Sequence, residues 1–292
     1  MNQYYFGQAC VHVEEGIEVP QDWQIFEKEK PYRYEVTLRA SEDKPVVAAD
    51  QCQCYDQLRI VKDKRGEILF AESNHVDSWE DMIWALQNEK TDKEEETNIR
   101  VRLRSNLDYT DNVLYYRETG RDILYFHNSF EAAITMHGGS ILHASCIVYQ
   151  GQAVLFCGPS GMGKSTQARL WMKYKGAHML SSDAPAIFFD KERAVAYGMP
   201  WDGSDHIIRQ EAAPIRAIVR LAQGKEDTLR PLSIAEAYET LLHQGHMPLW
   251  DDRLMPLELR FLKELAGKTE MYDLTCTPTE KAVQVLYDTI FK

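Results

Sequence analysis

Ala153-Val154-Leu155-Phe156-Cys157-Gly158-Pro159-Ser160-Gly161-Met162-Gly163-Lys164-Ser165-Thr166 is the stretch on which the fold class turns. An apolar run with strand character enters a glycine-rich loop, and a helical pattern follows from Ser165 to Tyr174. From Gly158 to Ser165 the loop fits G-x-x-x-x-G-K-[S/T], the Walker A pattern, with the strand before it and the helix after it that the pattern requires. Glycines in such a loop let backbone N–H groups turn inward as an anion nest, and the next helix points its positive end at the same place. The expected ligand is a nucleoside triphosphate held by Gly158, Pro159, Ser160, Gly161, Met162, Gly163, Lys164, Ser165 and Thr166. Lys164 supplies a mobile cation for the β- and γ-phosphates, and the Ser165 hydroxyl is a hard oxygen ligand suited to Mg²⁺. A loop of this kind reads phosphates and not the base, so ATP, GTP and pyrophosphate stay open as donors.

Around the loop the chain has two characters. Residues 1–130 read as a mostly β N-terminal domain, with strands at Tyr34–Ala40, Gln57–Lys62, Glu67–Ala71, Asn98–Arg104, Val113–Arg117 and Ile123–His127. Asp63-Lys64-Arg65-Gly66 gives a hairpin turn, Ser78–Gln87 one helix, and Glu89–Glu96 a solvated charged loop. Residues 131–292 read as an α/β P-loop domain: a helix after Phe130, strands Ile141–Val148 and Ala153–Cys157, then the loop and its helix. A buried strand at Ala217–Leu221 follows, then a helix over Ser233–Gln244 with Ser233 as cap and Glu236 three residues on. Helix Leu257–Leu265, strand Met271–Cys276 and helix Thr279–Phe291 complete the chain.

A phosphate cradle does not name its nucleophile, so nearby acids and bases carry the next step. His143 precedes the loop on the strand that feeds a hairpin, and Asp183 follows the apolar step His178-Met179-Leu180 beyond the loop helix. In a parallel sheet, the ends of adjacent strands beside a glycine loop converge on the terminal phosphate, where a base or a metal carboxylate belongs. Read from the residues alone, His143 is equally a satisfied half-buried histidine and Asp183 a turn aspartate.

Here the chain resembles the bacterial HPr kinase/phosphorylase catalytic domain and its relatives, which include kinases that modify ribosomal peptides such as lasso precursors. In that family a strand-borne histidine precedes the first glycine by fifteen residues, the interval from His143 to Gly158, with Gly151 turning the hairpin between. The family carries Asp-Asp past the loop where this chain has Ser181-Ser182-Asp183, so the first acid is absent. That substitution puts metal binding or a reverse, phosphorylase-type reaction in doubt. The similarity covers about Leu142 to Phe291, including the style of Tyr197-Gly198-Met199-Pro200-Trp201-Asp202-Gly203. It implies a P-loop domain of the HPr kinase and PEP carboxykinase-like type that uses ATP and Mg²⁺. Asp183 is then the base toward a serine hydroxyl or a metal-linked group, and His143 the residue that orients it. The family's second signature is not legible; Asp202-Gly203-Ser204-Asp205-His206 stands where an acceptor loop is expected, with Arg209 as a candidate transition-state cation.

The net charge of −12 disfavours a nucleic acid or an anionic membrane as partner, since both repel an acidic chain at long range. Six scattered cysteines lack a framework spacing, and Cys52-Gln53-Cys54 has no second pair to complete a metal site, so reduced thiols are expected. Tyr4-Tyr5-Phe6 and Tyr115-Tyr116 fit strand interiors better than a base-stacking platform. No apolar run approaches the ~18 residues of a membrane span, and the cytoplasm is the default location. The expected activity is ATP-dependent phosphoryl transfer to a hydroxyl of a protein or peptide, with acceptor recognition assigned to the N-terminal half. Two rivals stand beside it, a small-molecule kinase on the same fold and a nucleotide-switched binding module or ATPase. The sequence leaves self-association open.

Overall fold

The computed structural model describes residues 1–41, 49–55, 58–63, 66–72, 100–115, 122–201 and 205–292. The helix expected over Ser78–Gln87, the charged run Glu89–Glu96, the turns at Lys64-Arg65 and 118–120, and Asp202-Gly203-Ser204 lie outside them.

The described residues are mixed α/β, in two sheets. Strands β1 Asn2–Phe6, β2 Ala9–Val13, β3 Tyr34–Ser41, β4 Ala49–Tyr55, β5 Leu58–Asp63, β6 Ile68–Glu72, β7 Arg100–Ser105 and β8 Asp111–Tyr115 form the first. Their order is β1-β2-β3-β8-β7-β6-β5-β4, parallel at β2/β3 and β3/β8 and antiparallel elsewhere. Alternation along β3, where Tyr34, Val36 and Leu38 are buried and Glu35 and Arg39 exposed, sets one face of this sheet on the core.

The second sheet contains β9 Gly139–Ile141, β10 Ala144–Tyr149, β11 Gln152–Cys157, β12 His178–Ser181, β13 Ala186–Asp190, β14 Arg193–Tyr197, β15 Ala212–Gln223, β16 Thr228–Pro231 and β17 Met271–Cys276. It is mixed: β11, β15 and β17 run parallel to their neighbours in that trio, while β10, β12, β13 and β14 pair antiparallel. Residues of β10 and β11 are buried almost without interruption, as central strands covered on both faces must be. Gln150 and Gly151 both take positive φ, 49° and 73°, which closes the β10–β11 hairpin in two residues.

Among the described residues five α-helices cover these sheets: α1 Asp122–Met136, α2 Lys164–Lys175, α3 Ile234–Gln244, α4 Leu254–Lys268 and α5 Glu280–Ile290. The capping box expected at Ser233 is present, with Glu236 answering it from the first turn.

Three expectations are corrected. Ile123–His127 is not a strand but the first turns of α1, which therefore begins well before Phe130. Its residues are good strand formers, yet Ile123, Phe126, Phe130, Ala133 and Ile134 recur at helical spacing and are all buried, so packing overrides propensity. Phe126 and Phe130 stack at 5.6 Å and meet Trp23 and Phe6 edge-on or tilted, joining α1 to the first sheet. Second, Ile141–Val148 is not one strand: it breaks at Leu142–His143, where Leu142 pairs with Gly245 and the His143 N–H donates to the Gln244 carbonyl. Third, the sheet beside the glycine loop is mixed rather than parallel, because β12 folds back along β10. The sequence pattern does not announce strands β2, β4, β13, β14 and β16, whereas Tyr4-Tyr5-Phe6 does lie in β1.

Glu258 of α4 lies with no exposed surface between α1 and β9. It accepts from Ser140 Oγ at 2.5 Å and Thr135 Oγ1 at 3.2 Å. Burial dominates those bonds and raises its carboxyl to about 7 from an ordinary 4.5. A raised folded-state value favours the protonated form, so this stabilisation is complete below about 4.5 and is lost as pH rises through 7. Glu258→Gln removes the titration and keeps the accepting oxygen; thermal melting should show a smaller drop in Tm from pH 6 to pH 8 than in the unsubstituted protein.

Candidate phosphate-binding site

The β11 strand sits between β10 and β15, so its C-terminal end delivers the glycine loop at the middle of the sheet edge. Gly158 adopts φ 144°, and a Cβ there would stand 3.3 Å from the Leu221 carbonyl oxygen; both favour glycine. Gly163 takes φ 104° as the N-cap of α2, with no side chain bonding the first-turn amides. Those amides are the donors that an anion would meet. The loop is braced by Met162 N to Pro159 O at 3.2 Å and by Gln223 Nε2 to Gly161 O at 3.1 Å. Ser165 is half-buried and Thr166 exposed in the first turn of α2.

Lys164 is 9% exposed. Its Nζ lies 2.9 Å from the Gly158 carbonyl and 2.9 Å from His143 Nε2, while His143 Nδ1 is 2.9 Å from Asp183 Oδ1. Because an ammonium only donates and a carboxylate only accepts, one arrangement satisfies both contacts: bare Nε2 toward lysine, and Nδ1–H toward aspartate. The imidazole is neutral in that arrangement. Burial and the adjacent Lys164 charge lower the His143 pKa, aided by His246 and opposed by Asp183. Burial also lowers the Lys164 pKa, against the attraction of Asp183. His143 and Asp183 keep 39% and 41% of their side-chain surface exposed, so both face a space that a substrate can enter.

Backbone bonds fix this constellation. The Ala144 N–H donates to the Asp183 carbonyl at 2.7 Å, and Ser145 Oγ to the Ser182 carbonyl at 2.8 Å. Ser181 Oγ accepts from the Ala184 N–H at 3.2 Å, which turns the chain out of β12 and presents Asp183. Ser182, at the place of the missing acid, is 5% exposed. His143 itself occupies the bend between β9 and β10 rather than a strand.

Arg209 is exposed, and its Nε donates to the Met179 carbonyl at 2.8 Å, bracing β12. Asp205 pairs with Arg169 of α2, and His206 is exposed with φ 50°. Cys52-Gln53-Cys54 lies in β4; Cys10, Cys146, Cys157 and Cys276 are free, buried thiols.

Sequence reasoning missed Gln244, the last residue of α3 and 8% exposed. Its side-chain Oε1 accepts from the Gly158 N–H at 3.2 Å, and its carbonyl accepts from the His143 N–H at 2.7 Å. It also missed His246, whose Nδ1 stands 3.5 Å from Glu131 Oε1. Burial lowers the His246 pKa, but Glu131, with Asp183 and Glu258, raises it and the net shift is upward. No sequence signal marks either residue, since each acts on groups far away in the chain.

Two oxygen donors, the Ser165 hydroxyl in the first turn of α2 and the Asp183 carboxylate, are of the kind Mg²⁺ takes. Among the described residues no three His, Cys, Asp or Glu side chains group as a metal cage.

No family model matches the chain, and no curated protein does. Among solved structures the chain is similar to the Hpr(Ser) kinase/phosphatase from Coxiella burnetii, at 9% identity over 50% of this chain and 90% of that one, with a TM-score of 0.28. Among the described residues no helix is long and apolar enough to cross a membrane.

Gln244→Ala removes one neutral hydrogen bond to the loop, a loss of about 1 kcal/mol. Titration with a fluorescent ATP analogue should show affinity falling about fivefold, with the fold unchanged by circular dichroism.

Proposed function

We propose that this chain transfers the γ-phosphoryl group of ATP to a hydroxyl, that of a serine in a protein or peptide, on a P-loop of the HPr kinase-like type. The observation that carries this reading is the hydrogen-bonded chain Lys164–His143–Asp183 beside the glycine loop. A loop that only gripped a nucleotide would need the lysine and the amides. It would not need a half-exposed carboxylate held to that lysine through a neutral imidazole.

The reaction follows from these groups. The acceptor hydroxyl oxygen forms a bond to the γ-phosphorus while the bond from that phosphorus to the β–γ bridging oxygen breaks, releasing ADP. Asp183 accepts the hydroxyl proton, and His143 Nδ1–H holds the carboxylate in place. Lys164 exchanges its His143 contact for the phosphoryl oxygens, and with the loop amides it offsets their charge. Ser165 and Asp183 are the residues that would hold Mg²⁺, which when bound would supply further neutralisation of the phosphate charge. Ser182 in place of a second acid fits a forward-only kinase, since its position is buried and offers no second carboxylate for a reverse reaction.

In the proposal the N-terminal half contributes to acceptor recognition. It is physically tied to the site's surroundings: Tyr109 OH donates to Asp251 Oδ2 at 2.8 Å, and Arg253 donates to the Leu107 carbonyl at 2.8 Å.

Asp183→Asn keeps shape and nucleotide contacts while removing the base; label transfer from γ-labelled ATP into host extract should fall about 10²–10⁴-fold with nucleotide affinity retained. Lys164→Ala should abolish nucleotide binding itself. Undiminished transfer by Asp183→Asn would leave a nucleotide-switched module as the better reading, and label confined to low-mass compounds would exclude a protein or peptide acceptor.

A further inference from the structure

His143 and His246 belong to one short ladder. Leu142 and Gly245 form an isolated antiparallel bridge, flanked by the His143 N–H bond to the Gln244 carbonyl at 2.7 Å and the His246 N–H bond to the Ile141 carbonyl at 2.9 Å. Residues opposite one another in such a pairing point to the same side, and sides alternate along each strand. Leu142 accordingly packs in the core with Leu241 and Leu262, while Ile141 and His246 line one cavity with Glu131 and Thr135 of α1. His143, two residues beyond Ile141, takes the side of His246 and is its diagonal neighbour. Diagonal neighbours lie about 7–8 Å apart, within reach of ring side chains. The electrostatics agree with that placement: His246 disfavours a charge on His143, and Asp183, bonded to His143, favours the charge on His246.

Each imidazole has a carboxylate at Nδ1, Asp183 Oδ1 at 2.9 Å for His143 and Glu131 Oε1 at 3.5 Å for His246. Their other surroundings differ in sign. His143 Nε2 faces the Lys164 ammonium at 2.9 Å, which only donates, so that ring is neutral. Burial, Lys164 of α2 and His246 all disfavour a charge on it, against Asp183. Burial opposes the charge on His246 too, but Glu131 of α1, Asp183 beyond β12 and Glu258 of α4 favour it, and the balance is upward. A proton on either ring repels one on the other. Asp183 acts on both rings, so Glu131 is the group that decides between them.

We propose that His246, held by Glu131, is a positioning residue of the phosphate site: it carries the imidazole proton that His143 has to be without, and its charge keeps His143 neutral between Lys164 and Asp183. The second carboxylate–imidazole pair is then an electrostatic lock on the first. What the locked chain does, with Asp183 as base, rests on the kinase reading above; where the proton sits does not.

Ring nitrogens report the proton directly, so the test is an NMR titration of the full chain with isotope-labelled histidine, the two rings identified by the signals that His143→Gln and His246→Gln remove. At pH 6.5, the ordinary imidazole midpoint, His246 should be more than half protonated and His143 less than half. Glu131→Gln should lower the His246 midpoint, and His246→Gln should raise the His143 midpoint, each by on the order of half a pH unit. A fixed cation separates charge from shape: His246→Arg should leave the His143 midpoint low where His246→Gln raises it. The acid limb of label transfer from γ-labelled ATP into host extract should follow the His143 midpoint, moving to higher pH in His246→Gln and staying in place in His246→Arg. A charged His143 beside a neutral His246, an unmoved His143 midpoint in His246→Gln, or an equal rise in His246→Arg would each overturn the proposal, and the first of these needs no variant. The expected titration in a chain that transfers no label would count against the kinase reading and leave the placement of the proton standing.

Discussion

An ammonium that is nine-tenths buried must be answered by acceptors, and at Lys164 two are provided, the Gly158 carbonyl and His143 Nε2. The second answer is conditional. It exists only while the imidazole is neutral and turned with Nδ1–H toward Asp183, so lysine, histidine and aspartate hold one another in register. Protonating His143 would set a second cation against the lysine, and losing Asp183 would free the ring to turn. Either change costs the buried ammonium one of its two acceptors and leaves it the Gly158 carbonyl alone. The positions of the three side chains therefore form one constraint rather than three.

Backbone geometry makes that constraint affordable. The β9–β10 break at Leu142–His143 leaves two N–H groups that a continuous strand would have committed to its ladder, and they are spent on Pro185 and on Gln244. One bond past it, Ala144 fastens to the Asp183 carbonyl. A bend in the strand thus brings the histidine and aspartate together although 40 residues separate them in the sequence. Gln244 closes the circuit, because the same residue holds the first glycine of the loop by its side chain and His143 by its main chain. A shift of the end of α3 would move the loop and the imidazole together.

What could be read in advance was what is local. The loop, its flanking strand and helix, the Ser233 capping box and the Met271–Cys276 strand each depend on a few adjacent residues, and each stands where their chemistry puts it. His143 and Asp183 were brought to the loop by the strand-end argument and given their roles by the family resemblance, but their contact is geometry that single-chain patterns do not encode. Ile123–His127 failed for the opposite reason: aromatic and β-branched side chains argued for a strand, while burial of one face against Trp23 and Phe6 stabilises a helix. Gln244 was invisible because a glutamine before a glycine at a helix end is ordinary until its partner, 86 residues away, is known.

The acidic groups around α1 give the site an asymmetry with chemical consequences. Glu258, buried and raised to about 7, is partly protonated near neutrality, and Glu131 of α1 stands 3.5 Å from His246 Nδ1. On the proposed kinase reading, a polyphosphate would approach the loop amides and Lys164 while the acceptor hydroxyl would reach the half-exposed Asp183, so that charge neutralisation and positioning would meet at one point.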